Sequence, residues 1–173
     1  MFSLKRRFIS FELMPHKGIG SLLLDATRAE VSAALHGLRI KDTHENASGQ
    51  LHALENTIEI EFNSMDRVWF IGLYDHPMVK LTFGDDSLFD IPARKSFQKL
   101  SLADGTEDVP FSRDDVLLPR LIVTLWHAER KNVAAEEIWT QIGLGTQEYK
   151  ERSSNISQDE IDGILRKYGI SPE

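Results

Sequence analysis

Thr57-Ile-Glu-Ile-Glu-Phe62, the loop Asn63-Ser-Met-Asp66 and the run Arg67-Val-Trp-Phe-Ile-Gly-Leu-Tyr74 decide the fold. Ile58, Ile60 and Phe62 alternate with Glu59 and Glu61. A period of two puts one set of side chains on a buried sheet face and the other toward solvent. Residues 63–66 read as a hairpin loop, and 67–74 as the returning strand, apolar on both faces. Asp75-His-Pro77 closes it, because proline cannot donate to a strand ladder.

Upstream of this hairpin, Arg7 to Leu13 reads as a first strand, stopped by Met14-Pro15-His16-Lys17-Gly18, with the apolar stretch Ile19 to Leu24 after it. Thr27 followed three residues later by Glu30 has capping-box spacing. Val31, Ala34, Leu35 and Leu38 then fall at helical spacing, with Gly37 placed to end the helix. The polar stretch Lys41 to Gln50 reads as a loop. Downstream, Met78 to Phe83 is a short strand and Gly84 to Ser87 a turn. Pro92 suits a first helical turn, Phe97 and Leu100 supply an apolar stripe, and Ala103-Asp-Gly105 ends that helix. Leu121 to Trp126 reads as a strand, His127 to Asn132 as a charged turn, and Glu137 to Leu144 as the returning strand. The expected fold class is α+β: an antiparallel sheet with helices packed on one face, plus a C-terminal helix.

The two halves share a plan. Leu24-Asp25 matches Phe89-Asp90, Ile58 to Phe62 matches Ile122 to Trp126, and Val68 to Leu73 matches Trp139 to Leu144, where Ile-Gly-Leu is identical. Two tandem helix–strand–strand repeats, at 18–77 and 84–146, therefore stand beside a single unrepeated unit as readings of one domain over 1–149. Residues 150–173 read as a polar linker and a capped helix, with Ser157 as N-cap, Glu160 three residues on, and a stripe of Ile161, Ile164, Leu165 and Tyr168.

The run Gly18-Ile-Gly-x-Leu-x-Leu-x-x-Thr27-x-x-x-Val31-x-x-x-Leu35 resembles the opening of the β-lactamase-inhibitor-protein-like domains, a group that includes bacterial immunity-type proteins. The resemblance covers roughly residues 18–144, and departs from the family where Asp25-Ala26 stands in place of the common Gly-Met. It implies tandem α+β units whose sheet presents a face to another protein.

The strand pattern points to such a face independently. With Ile71 and Ile142 turned to the core, Phe70, Tyr74, Trp139 and Gln141 are expected outward beside Glu59 and Glu61. Aromatics ringed by carboxylates make a binding surface for a basic protein partner. Cover by a loop, by the C-terminal tail or by a second copy in a homodimer is the competing expectation for the same aromatics.

Composition narrows the alternatives. The 173 residues include 20 Lys+Arg against 27 Asp+Glu, a net charge of −7, which argues against a nucleic-acid partner because phosphate contacts need a basic footprint. With no cysteine there is no disulfide, thiolate metal site or thiol nucleophile. The six histidines form no His-x-x-x-His pair, and neither a phosphate-cradling loop nor a Gly-x-Ser-x-Gly elbow occurs, so no metal, cofactor or catalytic residue is expected. Asp85-Asp86, Asp114-Asp115 and Glu136-Glu137 read as solvated turns. The most site-like cluster is Tyr74-Asp75-His76, in which Asp75 is placed to orient His76 as a general base; a small enzyme or ligand-binding domain built on it is the alternative function. No window reaches the roughly 20 apolar residues of a membrane span, and Glu12 interrupts the short apolar run that a signal peptide would need, so the expected location is cytoplasmic.

Overall fold

The computed structural model describes residues 8–106, 109–132 and 134–154. The chain is α+β, and among the described residues the strands form two sheets. In the smaller sheet, β1 (Ile9–Met14) pairs antiparallel with β2 (Gly18–Ile19), which pairs with β3 (Leu22–Leu23). On its other side β1 runs parallel to β8 (Val79–Phe83), and β8 turns back into β9 (Asp86–Ser87). The seven-stranded sheet is antiparallel throughout. From one edge to the other it runs β10 (Asp115–Leu118), β11 (Val123–Arg130), β12 (Glu137–Gly145), β7 (Val68–Tyr74), β6 (Ile58–Phe62), β5 (Leu51–Ala53) and β4 (Thr43–Glu45).

Helix α1 (Arg28–Gly37) starts where its sequence requires. The Thr27 side chain accepts from the Glu30 N–H while the Glu30 carboxylate accepts from the Thr27 N–H at 2.8 Å. Helix α2 (Ala93–Asp104) has Pro92 at its N-cap and ends on Gly105, whose φ of 66° is the left-handed conformation that a side chain disfavours. Val31 and Leu35 of α1 and Phe97 and Leu100 of α2 enter one core with Ile58, Ile60, Ile71, Leu73, Ile142 and Leu144 from one face of the large sheet. Phe11, Leu13, Ile19 and Leu81 of the small sheet complete that core. Helix α3 (Gln147–Ser154) lies against the opposite face of the large sheet.

The centre of the large sheet is a seam between the halves. Ile71↔Leu144, Gly72↔Gly143 and Leu73↔Ile142 pair across β7 and β12, so the two identical Ile-Gly-Leu segments face each other antiparallel about the glycine pair. Both glycines sit at close approaches, of which the one at Gly143 meets a packed ring and the one at Gly72 the movable end of a side chain. A Cβ on Gly143 would stand 2.4 Å from Phe70 Cζ, and one on Gly72 would stand 2.5 Å from Gln141 Nε2.

Several expectations are corrected. Trp139 was expected outward and is fully buried under α2, its Nε1 donating to Ala93 O at 3.1 Å and to Ser96 Oγ at 3.0 Å. Trp126↔Gln141 and Ala128↔Trp139 bracket His127, which has a left-handed φ of 47°. The consecutive N–H groups of His127 and Ala128 both donate toward the preceding segment, to Asp114 O and Arg113 O, so β11 exchanges its faces there in the manner of a bulge. β12 exchanges faces at the same rung, which sends Trp139 to the core while Gln141 stays on the other face. The residues read as a charged turn therefore continue β11 as far as Arg130, and Asp115, read in a turn, begins β10. A second irregularity lies where Glu61↔Phe70 is followed by Phe62↔Val68, leaving Trp69 unpaired. It turns Val68 to the core and Trp69 to the face of Glu61. The loop assigned to Lys41–Gln50 contains β4, the turn at Gly84–Ser87 contains β9, and the linker expected from residue 150 begins as α3. The helix expected at 157–168 lies outside the described residues.

Candidate functional site

The outer face of the large sheet, opposite α1 and α2, carries the polar side chains expected of it. Glu59 accepts from the Tyr74 hydroxyl at 3.1 Å and from Gln141 Nε2 at 2.9 Å. Glu61 accepts from Gln50 Nε2 at 3.0 Å and from Trp69 Nε1 at 3.2 Å. All four donors are neutral. Neither glutamate makes an ion pair with a lysine or arginine among the described residues. Burial, and then the charge of Glu59, raise the pKa of Glu61 above the ordinary carboxylate range. Burial and the same carboxylates push the Tyr74 hydroxyl up to about 12.

Helix α3 covers part of this face. Thr146 starts it, accepting from Tyr149 N at its Oγ1 and from Lys150 N at its carbonyl. Tyr149 stacks on Phe70 with ring centroids 4.6 Å apart and meets Trp69 edge-on at 5.8 Å. Its ring also lies against Gly145, where a Cβ would come within 2.5 Å of it. Asn63 of the β6–β7 loop donates to Glu148 at 2.7 Å and ties that loop to the helix. Phe70, placed on this face as expected, is consequently buried beneath the Tyr149 ring, which precedes the tail expected from residue 150.

Two clefts flank Tyr149. One, of about 450 Å³, is walled by Trp69, Phe62 and Tyr149 and holds Glu61 and Gln50, with the Arg152 guanidinium 5.3 Å from the Trp69 ring centroid. The other, of about 310 Å³, lies between Phe70, Leu117, Thr124, Trp126 and Gln141. Trp126 is 48% exposed, the large apolar side chain that this face offers to solvent. Sequence reasoning missed both tryptophans, because Trp69 reaches the face through a bulge and Trp126 was aligned with Phe62 of the first half.

Of the six residues expected to bind a partner, Glu59, Glu61, Tyr74, Gln141 and Phe70 share this face and Trp139 does not. Only Glu59, Glu61 and Tyr74 keep appreciable access to solvent; Gln141 is buried as the donor that holds Glu59. The Tyr74-Asp75-His76 cluster is dispersed. Asp75 pairs with Lys131 at 2.5 Å, while His76 Nδ1 accepts from the Met78 N–H at 3.2 Å. No set of three or more acidic or histidine side chains that could hold a metal ion occurs among the described residues. No helix among them is long and apolar enough to cross a membrane.

Comparison with known protein families, with curated proteins and with solved structures finds no significant match to this chain.

Proposed function

We propose that this is a protein-binding module that occludes a basic partner, as an immunity or inhibitor-type protein does, by taking a cationic side chain against Glu59 and Glu61. One observation carries the reading: two adjacent carboxylates on one sheet face are held by four neutral donors. The hydrogen bonds fix their charges in position, and Arg152 offsets that of Glu61 only in part, so an arriving lysine or arginine gains from both. Tyr74 and Trp126 on the same face supply the apolar contact that outlasts the electrostatic encounter. The acidic balance of the chain, and the resemblance of residues 18–144 to domains that present a sheet face to another protein, support the same reading.

Affinity capture from the native lysate, using the wild type beside Glu59→Lys/Glu61→Lys, tests it. The wild type is expected to retain a basic protein that salt releases, and the double variant to lose it while melting as a folded protein. Retention of the same protein by both, with the same salt sensitivity, would refute the proposed role of the two glutamates. A third capture with Trp126→Ala separates the apolar contact from charge.

A further inference from the structure

A second region has the opposite electrostatic character. At the start of α2 a cleft of about 560 Å³ is lined by the cations Arg94, Lys95, Arg113 and Arg130, by the carboxylates Glu136 and Glu137, and by Pro92, Gln98 and Phe111. Its cations come from three separate parts of the chain: α2, the segment before β10, and the end of β11. Glu137 is engaged by two of them, with Arg113 Nη2 at 2.7 Å and Arg130 Nε at 3.9 Å from the same carboxylate oxygen. Among the described residues that line it, four cations against two carboxylates leave an excess of two positive charges, on a chain whose net charge is −7. Charges of one sign repel, so their convergence on a concave surface raises the energy of the empty protein and favours a bound anion.

The geometry fixes part of this cluster in place. Arg94 lies over the Phe111 ring at 4.3 Å from its centroid, and Phe111 is itself packed against Phe97 and Trp139. The Arg94 guanidinium is thus held by an aromatic face, which leaves its N–H groups for a ligand. The first turn of α2 adds to the same field. Pro92 offers no capping side chain, and the turn contains no acidic residue.

We propose that this cleft binds a phosphate or diphosphate group, with Arg94 and Lys95 as its principal ligands and Arg113 and Arg130 as the outer charges. The site is separate from the glutamate face, and its test is independent of that reading.

The probes are inorganic phosphate and pyrophosphate, titrated into the full chain at constant ionic strength set with sodium chloride and followed by amide chemical shifts. Saturable shifts are expected at Ala93, Arg94, Lys95 and Arg113, with pyrophosphate the tighter of the two. Arg94→Gln/Lys95→Gln is expected to weaken binding about tenfold or more, the loss of two charge-assisted contacts. Lys80→Gln, an exposed position on β8 away from the cleft, removes a charge elsewhere and is expected to leave binding unchanged. Lys95→Glu alone serves if the double variant loses its fold. Shifts that stay linear, spread over unrelated lysines, or persist with unaltered affinity in the Arg94 and Lys95 variants would overturn the proposal.

Discussion

Removing the Trp139 side chain tests the most consequential correction made by the fold. The indole is fully buried, packs on Phe111 with ring centroids 5.8 Å apart, and donates to Ala93 O and Ser96 Oγ at the start of α2. Ser96 Oγ already donates to Ala93 O at 3.0 Å, so losing the indole N–H does not leave that hydroxyl without a partner. The cost of Trp139→Ala is therefore dominated by lost burial and the cavity, about 3–5 kcal/mol for a tryptophan in a packed core. At roughly 2–4 °C per kcal/mol for a domain of this size, the melting temperature is expected to fall by about 6–20 °C. Trp139→Phe keeps the ring contact with Phe111 and loses the N–H, and is expected to cost about 1–2 kcal/mol. Urea unfolding followed by circular dichroism measures both values. A Trp139→Ala protein that unfolds within about 0.5 kcal/mol of the wild type, a cost typical of a surface site, would return the ring to the outer face and refute the exchange of faces at His127.

Two glycines give opposite expectations. Gly143→Ala drives a Cβ into Phe70 and Thr124 Oγ1, at 2.4 and 2.5 Å, and is expected to destabilise by about 1–3 kcal/mol by overpacking. Gly37→Ala, at the end of α1 with nothing within 4 Å of the added carbon, is expected to stabilise by about 0.4–1 kcal/mol; chemical denaturation of the pair checks both signs. Glu61 titrates above its ordinary value in the folded state, so its ionised form opposes folding at neutral pH, and that penalty disappears as the pH falls through the folded and then the unfolded pKa. Glu61→Gln is therefore expected to stabilise the protein at pH 7 and to lose that advantage below about pH 4, under the ordinary glutamate range; a gain that grows on acidification would contradict the burial argument.

What could be read from the sequence was local or periodic. Ile58, Ile60 and Phe62 alternate with the glutamates because one side of β6 is packed and the other carries polar groups. Thr27 with Glu30 announces α1, and Pro92 with Gly105 brackets α2, because caps act on the nearest backbone groups. What escaped was too short to show a period or depended on contacts outside its own element. β4 and β5 have three residues each, too few to display alternation. α3 offers Tyr149 as its one large apolar side chain, so no apolar stripe marks it, and it is held by the ring it places on Phe70. The changes of face at His127 and Trp69 carry no glycine or proline signal, although they decide which of the tryptophans reach the outer face.

The Gly72–Gly143 seam also bears on how the sheet assembles. β5 to β7 and β10 to β12 are each joined by short connections and can form from nearby chain, whereas the seam brings together residues 71 positions apart. Closing so long a loop costs entropy before any rung rewards it, which makes the union of the half-sheets a slow step in folding. Until it occurs, β7 and β12 are open edges with the same Ile-Gly-Leu register, and each fits the partner strand of a second molecule as well as its own. At high concentration the hazard built into this sheet is exchange of halves between chains, with Asp75 to Met78 as the hinge.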